Sequence, residues 1–330
     1  MKTTTAIAFL ALTLTCTTAI YADTFGGGGN AFDIDFVTIG NPGNDADTGD
    51  GSSSLPGTQN FGSVDYTYRI GKYEISRTMI EKASTAGGLG LTLFDMQFLG
   101  GNGANQPATG ISWYEAAQFV NWLNTSTGNT AAYKFNGSTF ELWQDGVDAG
   151  YNASNPFRNS QAKYVLPSVD EWYKAAFYDP AGGGTYYNYP TGSDSVPTAV
   201  TSGTTAGTAV YNLSLNTGPA EINLAGGLSP YETMGQAGNV WEWEETDGDL
   251  LNNSAGSTRG LRGSTWAHTQ TVNLSSSHRL GHNATSSGNN LGFRVASVPE
   301  PGTLLLGLLG TMGLLIRRTS RRTGYRQEAK

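Results

Sequence analysis

Three histidines occur in the chain, and all lie in "STWAHTQTVNLSSSHRLGHN", residues 264–283: His268, His278 and His282, with Arg279 beside the second. Imidazole is a common metal ligand and the side chain that titrates closest to neutral pH. On a helix, His278 and His282 at i and i+4 would share one face and could hold a metal together. But Gly281 lies between them, serines precede them, Asn283 follows, and no Asp or Glu falls inside 264–283. Such a segment is a poor helix former. The histidines therefore read as lining a polar surface or groove. The second stretch with chemical potential is "GNVWEWEETDG", 238–248, where Glu242 stands between Trp241 and Trp243. In a strand both tryptophans face one side and Glu242 the other. Two readings stay open there: a buried corner strand with a solvated carboxylate, or a cation site built from Glu242 and neighbouring backbone carbonyls.

The ends of the chain limit the chemistry further. Lys2, the apolar "AIAFLALTLTC" and a small residue at Ala22 read as a secretory signal peptide over residues 1–22, cut before Asp23. Cys16 is the only cysteine and leaves with it. The mature chain then has no disulfide, thiolate metal site, cysteine nucleophile or redox dithiol. A hydrophobic core must hold the fold, and residues 23–298 are enough for one large domain. Residues 23–316 carry 12 basic against 26 acidic residues, a net of −14. This surface repels phosphate backbones, which excludes nucleic acid as a partner class, and is compatible with divalent cations. At the C-terminal end, Pro299-Glu300-Pro301 precedes a charge-free run, 302–316, and then Arg317, Arg318, Arg321 and Arg322. The run is shorter than the ~20 apolar residues of a full membrane span. Arginines that follow such a run stay on the cytoplasmic side.

Between the ends, two helices are legible. Ser112 with Glu115 and Ser168 with Glu171 are capping boxes, each ahead of an apolar stripe, and Pro180 stops the second helix. "FDIDFVTIG", 32–40, alternates as a strand, and "YTYRIGKYEIS", 66–76, reads as a strand pair. Asp45, Asp47 and Asp50 sit in a solvated loop that lacks the register and distal Glu of a calcium loop. "AGGLGLT", 86–92, lacks the strand and helix that a phosphate loop requires.

The order Pro-Glu-Pro, apolar run and arginine cluster over 299–322 resembles the PEP-CTERM sorting signal of exported bacterial proteins. That implies an exosortase-type processing enzyme as partner, transient insertion in the inner membrane, a basic tail at 323–330, and a final place at the cell surface or in the extracellular matrix. "IGKYEIS", "ATGISWYEAAQFVNWLN", "YVLPSVDEWYKAA", "GNVWEW", "LRGSTW" and "LGFRVAS" follow one another as in the formylglycine-generating enzyme superfamily, the sulfatase-modifying-factor domain. This resemblance spans residues 32–298. It implies an α+β, C-type-lectin-like single domain with two main helices, short antiparallel strands and much irregular chain. In the family, the oxidases hold copper with a cysteine pair just after a motif matched here by Gly263-Ser264. The chain has Ala, His, Thr, Val and Asn there, so formylglycine oxidation and copper are not expected. The related iron-dependent sulfoxide synthases take ligands from a separate helical domain for which this chain has no room. The resemblance also implies one structural calcium, held by the carbonyls of Gly238 and Val240 and the carboxylate of Glu242. Gly235 stands where an acidic or Asn ligand is usual, Asn212 is the candidate for a second site, and Arg279 matches an arginine that pairs within the domain. The function implied is non-catalytic binding of matrix or polysaccharide components. The alternatives are a metal-dependent enzyme with a different reaction and a structural matrix component. The tyrosines of "GGGTYYNYPTGSDS", 182–195, suit sugar stacking and suit a plain surface loop equally.

Overall fold

The computed structural model describes residues 21–48 and 60–299. Most of the signal peptide, Asp50 and the apolar run 302–316 lie outside the described residues.

Among the described residues, two larger sheets and three helices enclose the core. The larger sheet has the order β1-β2-β3-β13-β6, from β1 (Tyr21–Phe25), β2 (Phe32–Ile39), β3 (Tyr68–Gly71), β6 (Tyr164–Val165) and β13 (Ala296–Ser297). Its pairings are all antiparallel. The second sheet has the order β11-β10-β9-β12, from β9 (Trp241–Asp247), β10 (Thr258–Arg262), β11 (Leu280–Asn283) and β12 (Leu291–Gly292). A hairpin joins β4 (Lys134–Asn136) to β5 (Thr139–Glu141). The pair β7 (Thr198–Ala199) and β8 (Thr208–Ala209) is parallel, as is β12 with β9, so the strands are not uniformly antiparallel.

The helices are α1 (Arg77–Gly87), α2 (Trp113–Ser126) and α3 (Val169–Phe177). In α2 the Ser112 N–H donates to Glu115 at 2.8 Å, while the Glu115 N–H donates to the Ser112 hydroxyl at 3.3 Å. In α3 the reciprocal distances are 2.7 and 3.2 Å between Ser168 and Glu171. Each box closes two N–H groups that a helix start leaves open. The third helix was not expected, and it corrects the reading of 66–76 as a strand pair. Tyr68–Gly71 is a single strand, and Ser76 is the N-cap of α1. There the Ser76 N–H meets the Met79 sulfur at 3.4 Å, so a thioether takes the place of the usual Glu.

The core is strongly aromatic. Phe119, Trp113, Tyr133, Phe140 and Phe157 are all buried, and Trp113 packs edge-on to Phe140 at 5.1 Å. The Arg259 guanidinium lies over Phe157 at 4.0 Å and Trp113 at 4.4 Å. It is buried between rings rather than against a carboxylate.

Candidate functional site

Strand β9 runs through the middle of the second sheet with every residue buried. Its Trp-flanked glutamates are therefore not solvated, and each carboxylate needs a partner inside the protein. Glu242 meets Arg294 through two bonds of 2.5 and 2.6 Å and accepts the Trp172 indole N–H at 2.7 Å. Glu244 takes Arg262 at 2.9 Å and Arg279 at 2.6 Å. Glu245 takes Arg158 at 2.8 Å, and Arg158 reaches on to Glu171 of α3 at 2.8 Å. Four buried arginines thus balance four buried glutamates. Forked guanidinium–carboxylate contacts of this kind fix orientation as well as charge. Arg279 pairs within the domain, as the resemblance implies, and also donates to the carbonyls of Thr246 and Asp247 at 2.9 and 2.8 Å.

Glu74, from "IGKYEIS", lies outside this balance. It is buried and accepts from Asn239 Nδ2 at 2.6 Å, while its Oε1 has no hydrogen-bond partner. Burial, with Glu242 nearby, holds its carboxyl well above the usual carboxylate range. A Cβ placed on Gly235 would lie 3.0 Å from Glu74 Oε2. The glycine at the position where the family carries an acidic or Asn ligand therefore leaves room for a carboxylate from elsewhere in the chain.

The residues that the family resemblance assigns to calcium have the following surroundings. Gly238 has φ +84°, and a Cβ there would collide with the Val210 carbonyl. Val240 is buried in a small apolar cluster with Met96, Val210 and Trp266. Both Glu242 oxygens are already engaged by Arg294, and one also by Trp172. A calcium ion held through Glu242 would have to compete with a buried guanidinium. Asn212 is exposed with φ +57°, and its N–H donates to the His268 carbonyl. Among the described residues, no group of three or more His, Cys, Asp and Glu side chains converges as a metal set.

The histidines cover the tryptophans of β9. The His268 and His278 rings each lie 5.7 Å from Trp241, and His282, exposed on β11, lies 5.9 Å from Trp243. His278 precedes β11 and His282 lies in it, so no helix brings them to one face. Burial lowers the pKa of His268, and burial with Arg262 nearby lowers that of His278, so both are neutral at pH 7. Ser264 is buried with φ +74°, its hydroxyl 3.5 Å from His268 Nδ1. In the 182–195 loop, Tyr186 is tied to Asn44 at 2.7 Å and Tyr187 to Asp179 at 2.7 Å, which leaves them part of the fold.

The surface of the described residues also carries depressions, two of which lie next to the helices. One, of about 280 Å³, lies beside the start of α3 and is lined by Asn155, Asp170, Asn252 and Leu250. The other, of about 420 Å³, lies where α1, α2 and the β4–β5 hairpin meet and includes Gln118, Trp122 and Phe135. Neither was found from the sequence, because their residues come from distant segments with no motif in common.

Comparison with known proteins follows the same lines. The sequence model of the sulfatase-modifying factor enzyme 1-like domain matches residues 63–298. No curated protein matches the chain. Among solved structures, Treponema denticola variable protein 1 is 19% identical with a TM-score of 0.58, over 86% of this chain and 100% of that one. CarF is 18% identical with a TM-score of 0.54, over 81% and 99% of the two chains. PvdO from Pseudomonas aeruginosa is 16% identical with a TM-score of 0.52, over 84% and 98%. At these identities the likeness concerns the fold alone. The PEP-CTERM protein-sorting motif matches residues 297–322, which marks an exported protein handled by an exosortase. The chain belongs to the sulfatase-modifying factor enzyme 1-like family.

Proposed function

We propose that this domain is a non-catalytic member of its family that binds matrix or polysaccharide components after export. The observation that carries the reading is the span after Gly263-Ser264. It contains no thiol, its arginine is locked to Glu244, and its histidines pack on Trp241 and Trp243. Copper oxidation of a sulfatase cysteine depends on soft thiolate ligands, and the mature chain has none to offer. What remains is a scaffold in which every glutamate of β9 is paired with an arginine inside the core. Export and sorting place that scaffold outside the cell, after a stage in which the 302–316 run tethers it at the inner membrane.

The test uses the mature exported protein with a cysteine-containing sulfatase peptide, copper and oxygen, and measures formylglycine by peptide mass. No product above a protein-free blank is expected. Turnover would overturn the non-catalytic reading. In parallel, saturable retention on extracted matrix polysaccharide is expected.

A further inference from the structure

We propose that the groove between α1, α2 and the β4–β5 hairpin binds a neutral saccharide chain, a site that rests on the binding role just proposed. Seven tryptophans occur in the chain, and five donate their indole N–H to a protein oxygen: Trp113, Trp143, Trp172, Trp243 and Trp266. Trp241 does not, but it lies beneath His268 and His278. Trp122 is the other exception. It lines the groove with 9% of its surface exposed, and its N–H has no partner among the described residues. One face of its indole stacks on Phe32 at 5.9 Å, which holds the ring in place.

Gln118 lies one helical turn before Trp122 and lines the same groove. Its half-buried amide makes no hydrogen bond to the described protein. The amide beside it behaves differently: Asn121 donates to the Tyr133 carbonyl at 2.7 Å and accepts the Tyr133 N–H at 2.8 Å. One amide therefore holds the hairpin on the helix, and the other is available to a ligand. Phe135 adds apolar surface from the hairpin.

The backbone keeps this arrangement open. Gly87 ends α1, and Gly88 caps it in the left-handed region with φ +62°. A Cβ on Gly87 would collide with Trp122 Cδ1 and Nε1. Glycine at this position lets the end of α1 pack closely on the pyrrole edge of the indole without pushing the ring out of the groove. A planar amide, an indole N–H and an aromatic surface in a groove of about 420 Å³ match a sugar ring, whose hydroxyls both donate and accept while its C–H face packs on rings. None of the residues lining the groove is charged. With a net charge of −14 over 23–316, the domain also disfavours an anionic polymer. The complementary ligand is neutral.

The experiment titrates the mature exported protein with cellohexaose and maltohexaose as neutral probes and alginate oligomers as the anionic one, by calorimetry and tryptophan fluorescence. A neutral probe is expected to bind. Gln118→Ala and Trp122→Phe should each weaken it about tenfold, the size of one hydrogen bond lost in a desolvated site. Gly87→Ala should do the same by crowding the indole. Unchanged melting temperatures in Gln118→Ala and Trp122→Phe confirm that the variants are folded, and Asn188→Ala in the 182–195 loop serves as the unaffected control. Neutral binding that survives both Gln118→Ala and Trp122→Phe overturns the groove and leaves the binding role standing. Binding of alginate alone also overturns the groove. If neither probe class nor extracted matrix polysaccharide binds, the binding role falls as well.

Discussion

Glu74 and Glu242 are both buried glutamates close to one another, yet their surroundings give them opposite roles. Glu242 has Arg294 on both oxygens, whereas Glu74 is met by the Asn239 amide and the Val240 backbone and makes no ion pair among the described residues. Removing one member of a buried pair leaves the other charge uncompensated, at a cost of about 3–5 kcal/mol. Glu242→Gln is therefore expected to lower stability on that scale in chemical denaturation. Glu74→Gln keeps an oxygen for Asn239 and removes a carboxyl that burial disfavours. It should be neutral or stabilising at pH 7, and a loss of stability like that of Glu242→Gln would contradict this account of Glu74. The same geometry bears on calcium. Because Arg294 already neutralises Glu242, melting curves in calcium and in chelator are expected to coincide. A calcium-dependent rise that disappears in Glu242→Gln would return the ion to Gly238, Val240 and Glu242.

The helices show how far pattern reading reaches. The boxes of α2 and α3 were legible because Ser-x-x-Glu states its own geometry, and both form as written. The α1 box was missed because Met79 stands where the pattern calls for Glu or Gln. Helix α3 also carries a prediction of its own. Asp170, in its first turn, accepts the Gly62 N–H at 2.8 Å, and burial outweighs that bond to push its pKa up to about 6 from 3.8. Between these values the folded state binds more protons than the unfolded state. The stability contribution of Asp170 is thus fully present below pH 3.8 and is lost as pH rises through about 6. Comparing melting temperatures of wild type and Asp170→Asn between pH 4 and 7 (a range chosen to bracket that window) checks it. The variant should gain on the wild type as pH rises, and parallel curves would refute the assignment.

At the scale of the molecule, the larger sheet gathers both ends of the described chain. β1 opens it at one edge, and β13 lies between β3 and β6. Arg69 links them, with its guanidinium on Asp23 at 2.6 Å and on the Ser297 hydroxyl at 3.1 Å. The sorting motif begins at residue 297, inside β13, and the Val298 N–H still donates to the Lys163 carbonyl at 2.9 Å. No spacer separates the sorting motif from the core sheet. Processing is therefore expected to leave Asp23 at one end and Ser297 and Val298 at the other, while removing 317–330. Intact mass of the surface-located protein reads this directly. A C-terminus before Ser297 would mean that β13, an internal strand of the sheet, is dispensable, and retention of Arg317 to Lys330 would leave a simple membrane anchor.

The sequence by itself determined the family, the lectin-like α+β class, two of the three helices among the described residues, the sorting motif and the lack of any cysteine beyond Cys16. These are written in local patterns or in the order of motifs, so neighbouring residues suffice to state them. It did not determine the environments of its charged side chains. "GNVWEWEETDG" looks like a solvated or metal-binding acidic stretch, and only the meeting of β9 with Arg158, Arg262, Arg279 and Arg294 reveals a buried ion-pair core. Poor helix-forming sequence already spoke against the three histidines as a ligand set, but only the tertiary structure shows that their rings pack on Trp241 and Trp243. The groove at Trp122 draws on residues as far apart as Gly87 and Gly137. A charge or a polar group takes its role from what surrounds it in space, and tertiary structure alone sets that surrounding.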